Sequence, residues 1–549
     1  MDTDVRSSIE AQPDGTPSKA TDSTTSGSER RWDLIGLIGA LGAYLVVAVG
    51  GVLVRAPLGH DEAIYALRSR DLGTGWAADS GRFWAEYRAP GLPMMLSVTN
   101  RILGMHVTTM RLTVVLLGGC ILVGTWFIAR HLGLGRGAAV APFLLAVSAG
   151  FVYTSSTLLA DVPGAAFGIA AVALYLVEID RGRLRWSILV VPLASGWATV
   201  ARFGAPIMIG AGLVAAFVVA APTIWRHRNW VVVIQSACLA VGTAMVVWLI
   251  LFTDLLSLNG NGYSPAEANR DLIEGKGLTP GSGFDDLRVV LNPWSTFAVP
   301  LWSKAVVVVF TVGLIAGVVS AFRPGGHPRA VVFGVVAGLI SVVGVTASVG
   351  LVVANYLALS LPFWVIAAAA GYGWLGEQFV RLCADRRALG MLGVGAVLAI
   401  AAGLVVATTL DTRHFHRRQE ISFASLRDVS AETGRQLGSD CLIVTAYTPQ
   451  VGYYSGCRIV ALQDVYTEEA LVPILTESIR FATEVLEPQP TVDATAVLIV
   501  DQGKRQPAYD VLLEGEGLGD RMSEIGIEGQ RITHVWSSRI LPCIWDGSC

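Results

Sequence analysis

The sequence LIGLIGALGAYLVVAVGGVLV (residues 34–54) is an unbroken run without a charged side chain. Roughly 20 apolar residues are enough for a helix to cross the hydrocarbon core of a membrane. RAPLGHDEAIYALRSRDL follows at 55–72, and it places two adjacent carboxylates, Asp61 and Glu62, just beyond the run. Because carboxylates close to hydrocarbon are costly, their presence here points to a function. The stretch therefore predicts a membrane helix with a candidate polar site at its end.

The whole chain has the same apolar character. Of its 549 residues, 53% are hydrophobic and only 15% are charged, with a mean hydropathy of +0.56. This composition is too apolar for an ordinary soluble protein and predicts a polytopic α-helical membrane protein. The formal net charge of −3 gives no argument for a nucleic-acid partner, so we expect none.

We predict eleven membrane-spanning helices, at about 34–54, 110–129, 138–156, 164–179, 187–201, 204–221, 230–252, 299–321, 331–351, 356–374 and 388–409. With a cytosolic N-terminus, every inner connection is basic, as the positive-inside rule requires. Those connections contain Arg130 and Arg136; Arg181, Arg183 and Arg185; Arg226 and Arg228; Arg323 and Arg329; Arg381, Arg386 and Arg387. The same threading places the long loops 55–109 and 253–298 outside a multi-pass plasma-membrane protein.

Three regions follow from this threading. Residues 1–30 lack apolar positions for a core and are expected to be a disordered cytosolic segment. Residues 31–410 form the membrane domain, and 411–549 are long enough for a small extracytoplasmic α/β domain. In that tail, CLIVTA (441–446), RIVAL (458–462), TAVLIV (495–500) and ITHVWSSRIL (532–541) are typical of strands, whereas 468–486 has helical periodicity. We interpret the tail as a cap over the membrane domain rather than a second active site.

Four of the seven cysteines lie in this tail: Cys441, Cys457, Cys543 and Cys549. Outside the membrane they are disulfide candidates, and sequence proximity favours the pairs Cys441–Cys457 and Cys543–Cys549. Other pairings stay open, because connectivity does not follow from spacing alone.

The outer connections carry three acidic candidates for catalysis: Asp61, Glu62 and Asp161. Asp161 stands two positions before Pro163. An Asp near a helix start is often an N-cap, which is the alternative for Asp161. A cap explains one of the two adjacent carboxylates but not both, and pairing with nearby arginines is the other alternative. The pattern favours a function for Asp61. For Asp161 it favours neither a function nor a helix cap over the other.

A carboxylate at the membrane surface can act as a general base on a hydroxyl group, best with a cation nearby to hold an anionic leaving group. The stretch FWAEYRAPGLPMMLSV (83–98) supplies Arg88, whose guanidinium matches the geometry of phosphate. The alternative for Arg88 is anchoring to lipid headgroups. Carboxylates and arginine together predict chemistry on a phosphate-containing substrate at the membrane surface.

DEAIYALRSRDL, YRAPGLPMML and LLADVPGAAF occur in an order and spacing that resembles polyprenyl-phosphate-dependent glycosyltransferases of the GT-C fold. The resemblance is to the group of lipid A aminoarabinose transferases, protein O-mannosyltransferases and rhizobial-type lipopolysaccharide glycosyltransferases. It covers residues 30 to about 410. It implies transfer of a sugar from a dolichyl or undecaprenyl-type phosphate, within the surrounding membrane lipids, to a glycan, lipid or protein acceptor outside the cytoplasm.

The resemblance also implies roles for single residues. Asp61 corresponds to the family's general base, with Glu62 beside it, and Asp161 corresponds to the Asp of the second outer loop. Arg88 stands where the family has a phosphate-binding Lys, and Arg202 is a second candidate phosphate ligand, with interface anchoring as its alternative. The implied reaction inverts the anomeric carbon. The candidate substrate contacts are Tyr65, Glu86 and Tyr87, and, in a loop that either closes over the site or merely connects two helices, Tyr263 and Lys276.

The chain departs from the family pattern at three points. Arg88 replaces Lys, the Pro-Pro pair is loosened to Ala89-Pro90, and Ile64 and Tyr65 stand where some members carry an Arg. Some members bind a structural metal ion, but no metal-ligand spacing is present here, so a divalent metal cofactor stays open.

A transporter or flippase of an anionic, polyprenyl-linked lipid is the alternative class of function. Transporters often show internal repeats and ionisable residues near the membrane midplane. The sequence shows no repeat, and the centres of the predicted helices carry almost no charge. Surface chemistry is therefore favoured over translocation, and a membrane protease is disfavoured because its motifs are absent.

Overall fold

The fold is taken from a computed structural model of the chain. It describes residues 25–74, 89–253, 266, 304–348, 354–383, 387–437, 441–445, 448–461, 494–500, 522–524 and 533–536. These residues form a bundle of helices followed by a small sheet.

Helices of 5 to 51 residues, most of them apolar, make up the bundle. They are α1 (Thr25–Val52), α2 (His60–Thr74), α3 (Gly91–Leu103), α4 (Val107–Ala129), α5 (Val140–Ala146), α6 (Ala149–Ser155), α7 (Asp161–Asp180), α8 (Ser187–Ala201), α9 (Ala205–Arg226), α10 (Trp230–Phe252), α11 (Lys304–Ala321), α12 (Pro328–Ser348), α13 (Ala354–Ala358), α14 (Leu361–Cys383) and α15 (Arg387–Leu437). Within the described ranges, eight helical segments are long and apolar enough to cross a membrane. The chain is therefore a multi-pass helical membrane protein.

Of the eleven predicted spans, one is divided in the structure, one is short for a crossing and one extends further than predicted. The segment predicted at 138–156 divides into α5 and α6, because the backbone leaves the helical conformation at Val147 and Ser148. The 15-residue helix α8 matches the prediction at 187–201 but is short for a complete crossing. Helix α14 extends to Cys383, beyond the predicted end at 374, and carries charged residues in its last turns.

Two predicted region boundaries fall inside helices. Helix α1 begins at Thr25, six residues before the expected boundary at 31, and residues 1–24 lie outside the described chain. Helix α15 runs without interruption from Arg387 to Leu437 and so passes through the expected boundary at 410. The chain thus leaves the bundle on one continuous helix.

The sheet after α15 has five strands in the order β2-β1-β3-β5-β4. The strands are β1 (Cys441–Thr445), β2 (Arg458–Ala461), β3 (Ala494–Val500), β4 (Met522–Glu524) and β5 (Thr533–Trp536), with α16 (Thr448–Ser455) between the first two. The first three strands run parallel, and β5 pairs antiparallel with β3 and β4. The four predicted strands are confirmed, β4 was not predicted, and the helix predicted at 468–486 lies outside the described residues.

Polar clusters lie at the two ends of α7, about 30 Å apart at 1.5 Å per residue. Asp161 begins this helix and contacts Arg202, at the end of α8. Asp180 ends it and pairs with His131 and with Arg329, in the first turn of α12. We call these the site end and the distal end. The predicted threading puts them on opposite sides of the membrane.

Candidate functional site

The start of α2 is held by one of its own carboxylates. Glu62 lies in the first turn, and its Oε2 accepts a hydrogen bond of 2.9 Å from the backbone N–H of Gly59. The carbonyl of Gly59 accepts from Ala63, which makes Gly59 the N-cap residue. This is the side-chain-to-backbone half of a capping box, which satisfies an N–H that the helix leaves unpaired. Capping therefore accounts for Glu62 and leaves Asp61 to be explained.

The same carboxylate forms a buried ion pair with Arg111, at the start of α4. Arg111 Nε and Nη2 donate to the two oxygens of Glu62 at 2.9 and 2.8 Å, and both side chains are almost completely buried. Leu158 N–H donates to Oε1 at 2.9 Å. Burial alone raises the pKa of Glu62, but the charge and hydrogen bonds of Arg111, with the N–H groups of Gly59 and Leu158, outweigh it and hold this pKa below its ordinary value.

The second ion pair at the site end joins Asp161 to Arg202. Arg202 Nε lies 3.1 Å from Asp161 Oδ1, and the Asp161 side chain is 2% exposed whereas that of Arg202 is 18% exposed. The Asp161 Oδ2 atom accepts a hydrogen bond of 3.0 Å from Asn355 Nδ2, but Oδ1 is buried without a well-aligned donor. The N-cap of α7 is Ala160 and makes no side-chain cap, so the capping alternative for Asp161 does not describe this geometry.

The ring of Tyr356 covers the Arg202 guanidinium. Its Cζ lies 4.5 Å from the centre of the Tyr356 ring, a cation–π contact. Burial alone lowers the pKa of Arg202, but the neighbouring Asp161, Tyr356 and Tyr65 outweigh it and raise the pKa, so the side chain stays charged. Tyr65, predicted as a substrate contact, is thus within electrostatic range of Arg202. The structure brings together α2, α7, α8 and α13 at this point.

Two glycines allow this close approach. A Cβ atom on Gly164, one turn into α7, would lie 2.9 Å from the Cβ of Arg202. A Cβ atom on Gly91, the first residue of α3, would lie 2.7 Å from the Cα of Ala201. Helices α3, α7 and α8 therefore converge where Arg202 leaves α8.

Asp61 is partly exposed in the first turn of α2. Residues four positions apart share one face of a helix, so Asp61 lies on the same face as Tyr65. Glu62, by contrast, is buried and pairs with Arg111 on α4. The two adjacent carboxylates thus differ in their surroundings: Glu62 is buried against Arg111, whereas Asp61 is partly exposed.

Several predicted site residues lie outside the described chain: Glu86, Tyr87, Arg88, Tyr263 and Lys276. The description resumes at Ala89, the residue after Arg88, and Pro90 and Gly91 lead directly to the contact with Ala201. Within the described ranges, no three His, Cys, Asp or Glu side chains come together as ligands for a metal ion.

One of the four disulfide candidates can be assessed. Cys457 is disulfide-bonded and buried, as predicted for this residue. The side chains of Cys441, Cys543 and Cys549 are not among those described, so the two predicted pairings stay predictions. Cys120, Cys238 and Cys383 are free thiols.

Sequence reasoning missed most of the partners in these clusters. Arg111 is the partner of Glu62, although it stands 49 residues further along the chain. Asn355 and Tyr356 contact the second pair from a short helix after α12. The sequence does contain a sign of these two residues. They are a polar pair inside an otherwise apolar stretch, at a connection that the predicted threading puts on the same side as Asp61.

A family model and several solved structures resemble the chain. The model for dolichyl-phosphate-mannose-protein mannosyltransferases matches residues 87–250, a stretch that contains Arg88, Asp161 and Arg202. No curated protein matches the chain in sequence.

ArnT from Cupriavidus metallidurans bound to undecaprenyl phosphate is similar in structure, with a TM-score of 0.59 and 15% identity, over 92% of this chain and 98% of ArnT. An oligosaccharyltransferase from Archaeoglobus fulgidus, tethered to an acceptor peptide, has a TM-score of 0.53 and 11% identity, over 93% of this chain and 74% of that protein. Identities this low show the fold alone. The fold is that of the GT-C membrane glycosyltransferases, and the fold class implied by the sequence resemblance is confirmed.

Proposed function

We propose that this chain is a membrane glycosyltransferase that moves a sugar from a polyprenyl phosphate to a hydroxyl-bearing glycan, lipid or protein outside the cytoplasm. The observation that carries the proposal is the Asp161–Arg202 pair at the site end of a GT-C fold, with Tyr65 of α2, one helical turn after Asp61, within electrostatic range of Arg202. The fold is shared with a protein that binds undecaprenyl phosphate, and the matching family model describes transferases that use dolichyl-phosphate-mannose.

In the proposed reaction, the acceptor oxygen forms a bond to the anomeric carbon as the bond from that carbon to the phosphate oxygen breaks. Asp61 takes the acceptor proton, and polyprenyl phosphate leaves with the bonding electrons, which inverts the anomeric carbon. Arg202 and Arg88 neutralise the phosphate, and Asp161 fixes the Arg202 guanidinium. Phosphate is already a good leaving group, so positioning and charge stabilisation supply much of the acceleration.

Glu62 takes a supporting part in this proposal. Its carboxylate already receives hydrogen bonds from backbone and side-chain donors around it, so it is a poor proton acceptor for a substrate. Its low pKa also makes it a weak base. We therefore assign Glu62 a positioning role for α2 and reserve the role of general base for Asp61.

The test is a rescue experiment in the natural host. The gene is deleted, and envelope glycans and glycoproteins of the deletion strain are compared with those of the parent by mass spectrometry. The strain is then complemented with wild type, with Asp61→Asn, or with Asp180→Asn. The last variant is a matched control, because it makes the same substitution at an aspartate of the distal end, where Asp180 pairs with Arg329.

We expect one glycan to lose a single sugar on deletion, and wild type and Asp180→Asn to restore it. Asp61→Asn should lower the transfer rate by about 10²–10⁴-fold at equal membrane abundance, the usual contribution of a general base. Full restoration by Asp61→Asn would contradict the proposal and favour a transporter. Treating wild-type membranes with EDTA tests the open question of a divalent metal.

A further inference from the structure

We propose that Gln419 on α15 and Tyr454 on α16 are positioning residues that hold the start of α2, and with it Asp61, in place. We call these two residues the C-terminal brace. The role of Asp61 rests on the proposed function, whereas the mechanical role of the brace can be tested independently. The inference gives the segment beyond residue 410 a part in the active site rather than that of a cover.

Gln419 joins three elements of the site end through its amide group. Its Nε2 donates to the Pro57 carbonyl at 2.8 Å and to Oε2 of Glu62. Its Oε1 accepts from the Tyr153 hydroxyl at 3.2 Å. The side chain is 8% exposed. One amide thus ties α15 to the loop before α2, to the capping carboxylate and to α6.

The orientation of this amide is determined by its partners. If oxygen and nitrogen were exchanged, the amide oxygen would face the Pro57 carbonyl and the Glu62 carboxylate, both of which only accept. A donor is therefore required at this position. A carboxylate of the same size would instead repel Glu62, which gives a specific substitution to test.

Tyr454 holds the same loop from α16. Its hydroxyl accepts a hydrogen bond of 2.7 Å from the backbone N–H of Leu58, the residue before the N-cap Gly59. Burial raises the pKa of the Tyr454 hydroxyl to about 12, so it stays neutral. Cys457, three residues further on, is disulfide-bonded and buried, which secures the end of α16.

The brace acts on Asp61 through the backbone. The backbone N–H of Leu58 donates to the Tyr454 hydroxyl, and that of Gly59 donates to the Glu62 carboxylate. Glu62 also accepts from Arg111 and Gln419. Asp61 lies between Gly59 and Glu62, so its backbone is held on both sides by contacts that its own side chain does not make. Loss of the brace should therefore displace Asp61 without removing a group that touches the substrate.

The first experiment measures amide hydrogen exchange of full-length protein in nanodiscs, for wild type, Gln419→Leu and Gln235→Leu. Gln235 is the matched control, since its amide also bonds to the backbone: its Oε1 accepts from the N–H of Leu184 at 3.1 Å, toward the distal end. In Gln419→Leu we expect exchange in residues 56–66 to speed up about ten- to hundredfold, the usual consequence of losing a hydrogen bond to a charged group. Tyr454→Phe should show a smaller acceleration.

Exchange in residues 164–176, in the middle of α7, should stay at the wild-type rate in every variant. Gln235→Leu should leave residues 56–66 unchanged. If Gln419→Leu leaves residues 56–66 at the wild-type rate, the brace is refuted. If exchange rises there while Asp61→Asn still supports transfer, the proposed function fails and the brace stands.

A second measurement separates positioning from simple packing. Gln419→Glu keeps the size of the side chain, but it donates to Glu62 only when the introduced carboxyl group is protonated. Relative to wild type at the same pH, we expect fast exchange and low transfer at pH 8, with recovery toward wild type at pH 5. The comparison with wild type at each pH removes every pH effect that the two proteins share. A ratio that does not change with pH would overturn the proposed donor role.

Discussion

The site end contains two carboxylate–guanidinium pairs with buried carboxylates, and they differ in how many hydrogen bonds each carboxylate receives. Glu62 receives hydrogen bonds from Gly59, Arg111, Leu158 and Gln419, and both members of its pair are almost fully buried. Asp161 has Asn355 on one oxygen and Arg202, without good alignment, near the other. The Glu62 carboxylate has no accepting capacity left for a ligand, whereas Asp161 has.

This difference separates a structural ion pair from a candidate ligand site. Removing one partner of a buried pair with all its hydrogen bonds made strongly destabilises the fold, because the other charge is then buried alone. In the second pair the carboxylate receives fewer hydrogen bonds and the arginine is partly exposed. That arginine can therefore bind an anionic substrate. The following predictions test that contrast, from the largest expected effect to the smallest.

Replacing Arg111 by Met should cause the greatest loss of stability. It leaves Glu62 buried without a counter-charge, at a cost of about 3–5 kcal/mol. Arg202→Met should cost clearly less, because Arg202 is 18% exposed and Asp161 keeps Asn355. Unfolding midpoints in nanodiscs check both. An equal or larger loss in Arg202→Met would reverse the distinction between the pairs.

Gly164→Ala should displace Arg202 and so disturb its pair with Asp161. The added Cβ lies 2.9 Å from the Cβ of Arg202, so that the arginine must shift, and overpacking of this kind costs about 1–3 kcal/mol. Gly210→Ala is the control, because nothing lies within 4 Å of its added Cβ. Sugar transfer and the unfolding midpoint should both fall only in Gly164→Ala. Equal behaviour of the two variants would show that Arg202 tolerates displacement.

Arg202→Lys keeps the charge but loses the planar group that stacks on Tyr356. We expect transfer per folded molecule to fall about tenfold, equivalent to roughly 1.4 kcal/mol, with little change in the unfolding midpoint. Arg329→Lys, at the distal pair with Asp180, serves as the matched control and should keep full transfer. Wild-type transfer by Arg202→Lys would reduce Arg202 to an interfacial anchor.

The smallest effect concerns pH. The folded-state pKa of Glu62 lies below its ordinary value of 4.5, so its stabilising contribution is complete above that pH and is lost as pH falls through the lower folded pKa. The difference in unfolding midpoint between wild type and Glu62→Gln should be constant from pH 8 to pH 6 and shrink below pH 4.5. A difference that already shrinks at pH 6 would contradict the pairing with Arg111.

The helices and their approximate ends could be predicted because apolar length is a local property of the sequence. The positions of Asp61, Asp161 and Arg202 on one side also followed, since alternate crossings and basic loops determine sidedness. The division of labour between Asp61 and Glu62 did not follow. Their spacing is that of two neighbours in any helix, and it contains no information on which carboxylate faces Arg111.

The sequence by itself determined a multi-pass helical membrane protein with strands in its tail and three carboxylates at one end. Only the tertiary structure decided that Glu62 is committed to Arg111 and to Gln419, 357 residues away, and that Arg202 pairs with Asp161 under Tyr356. The physical reason is that hydropathy can be read from neighbouring residues along the chain. A buried charge, in contrast, pairs with side chains that only folding brings close to it.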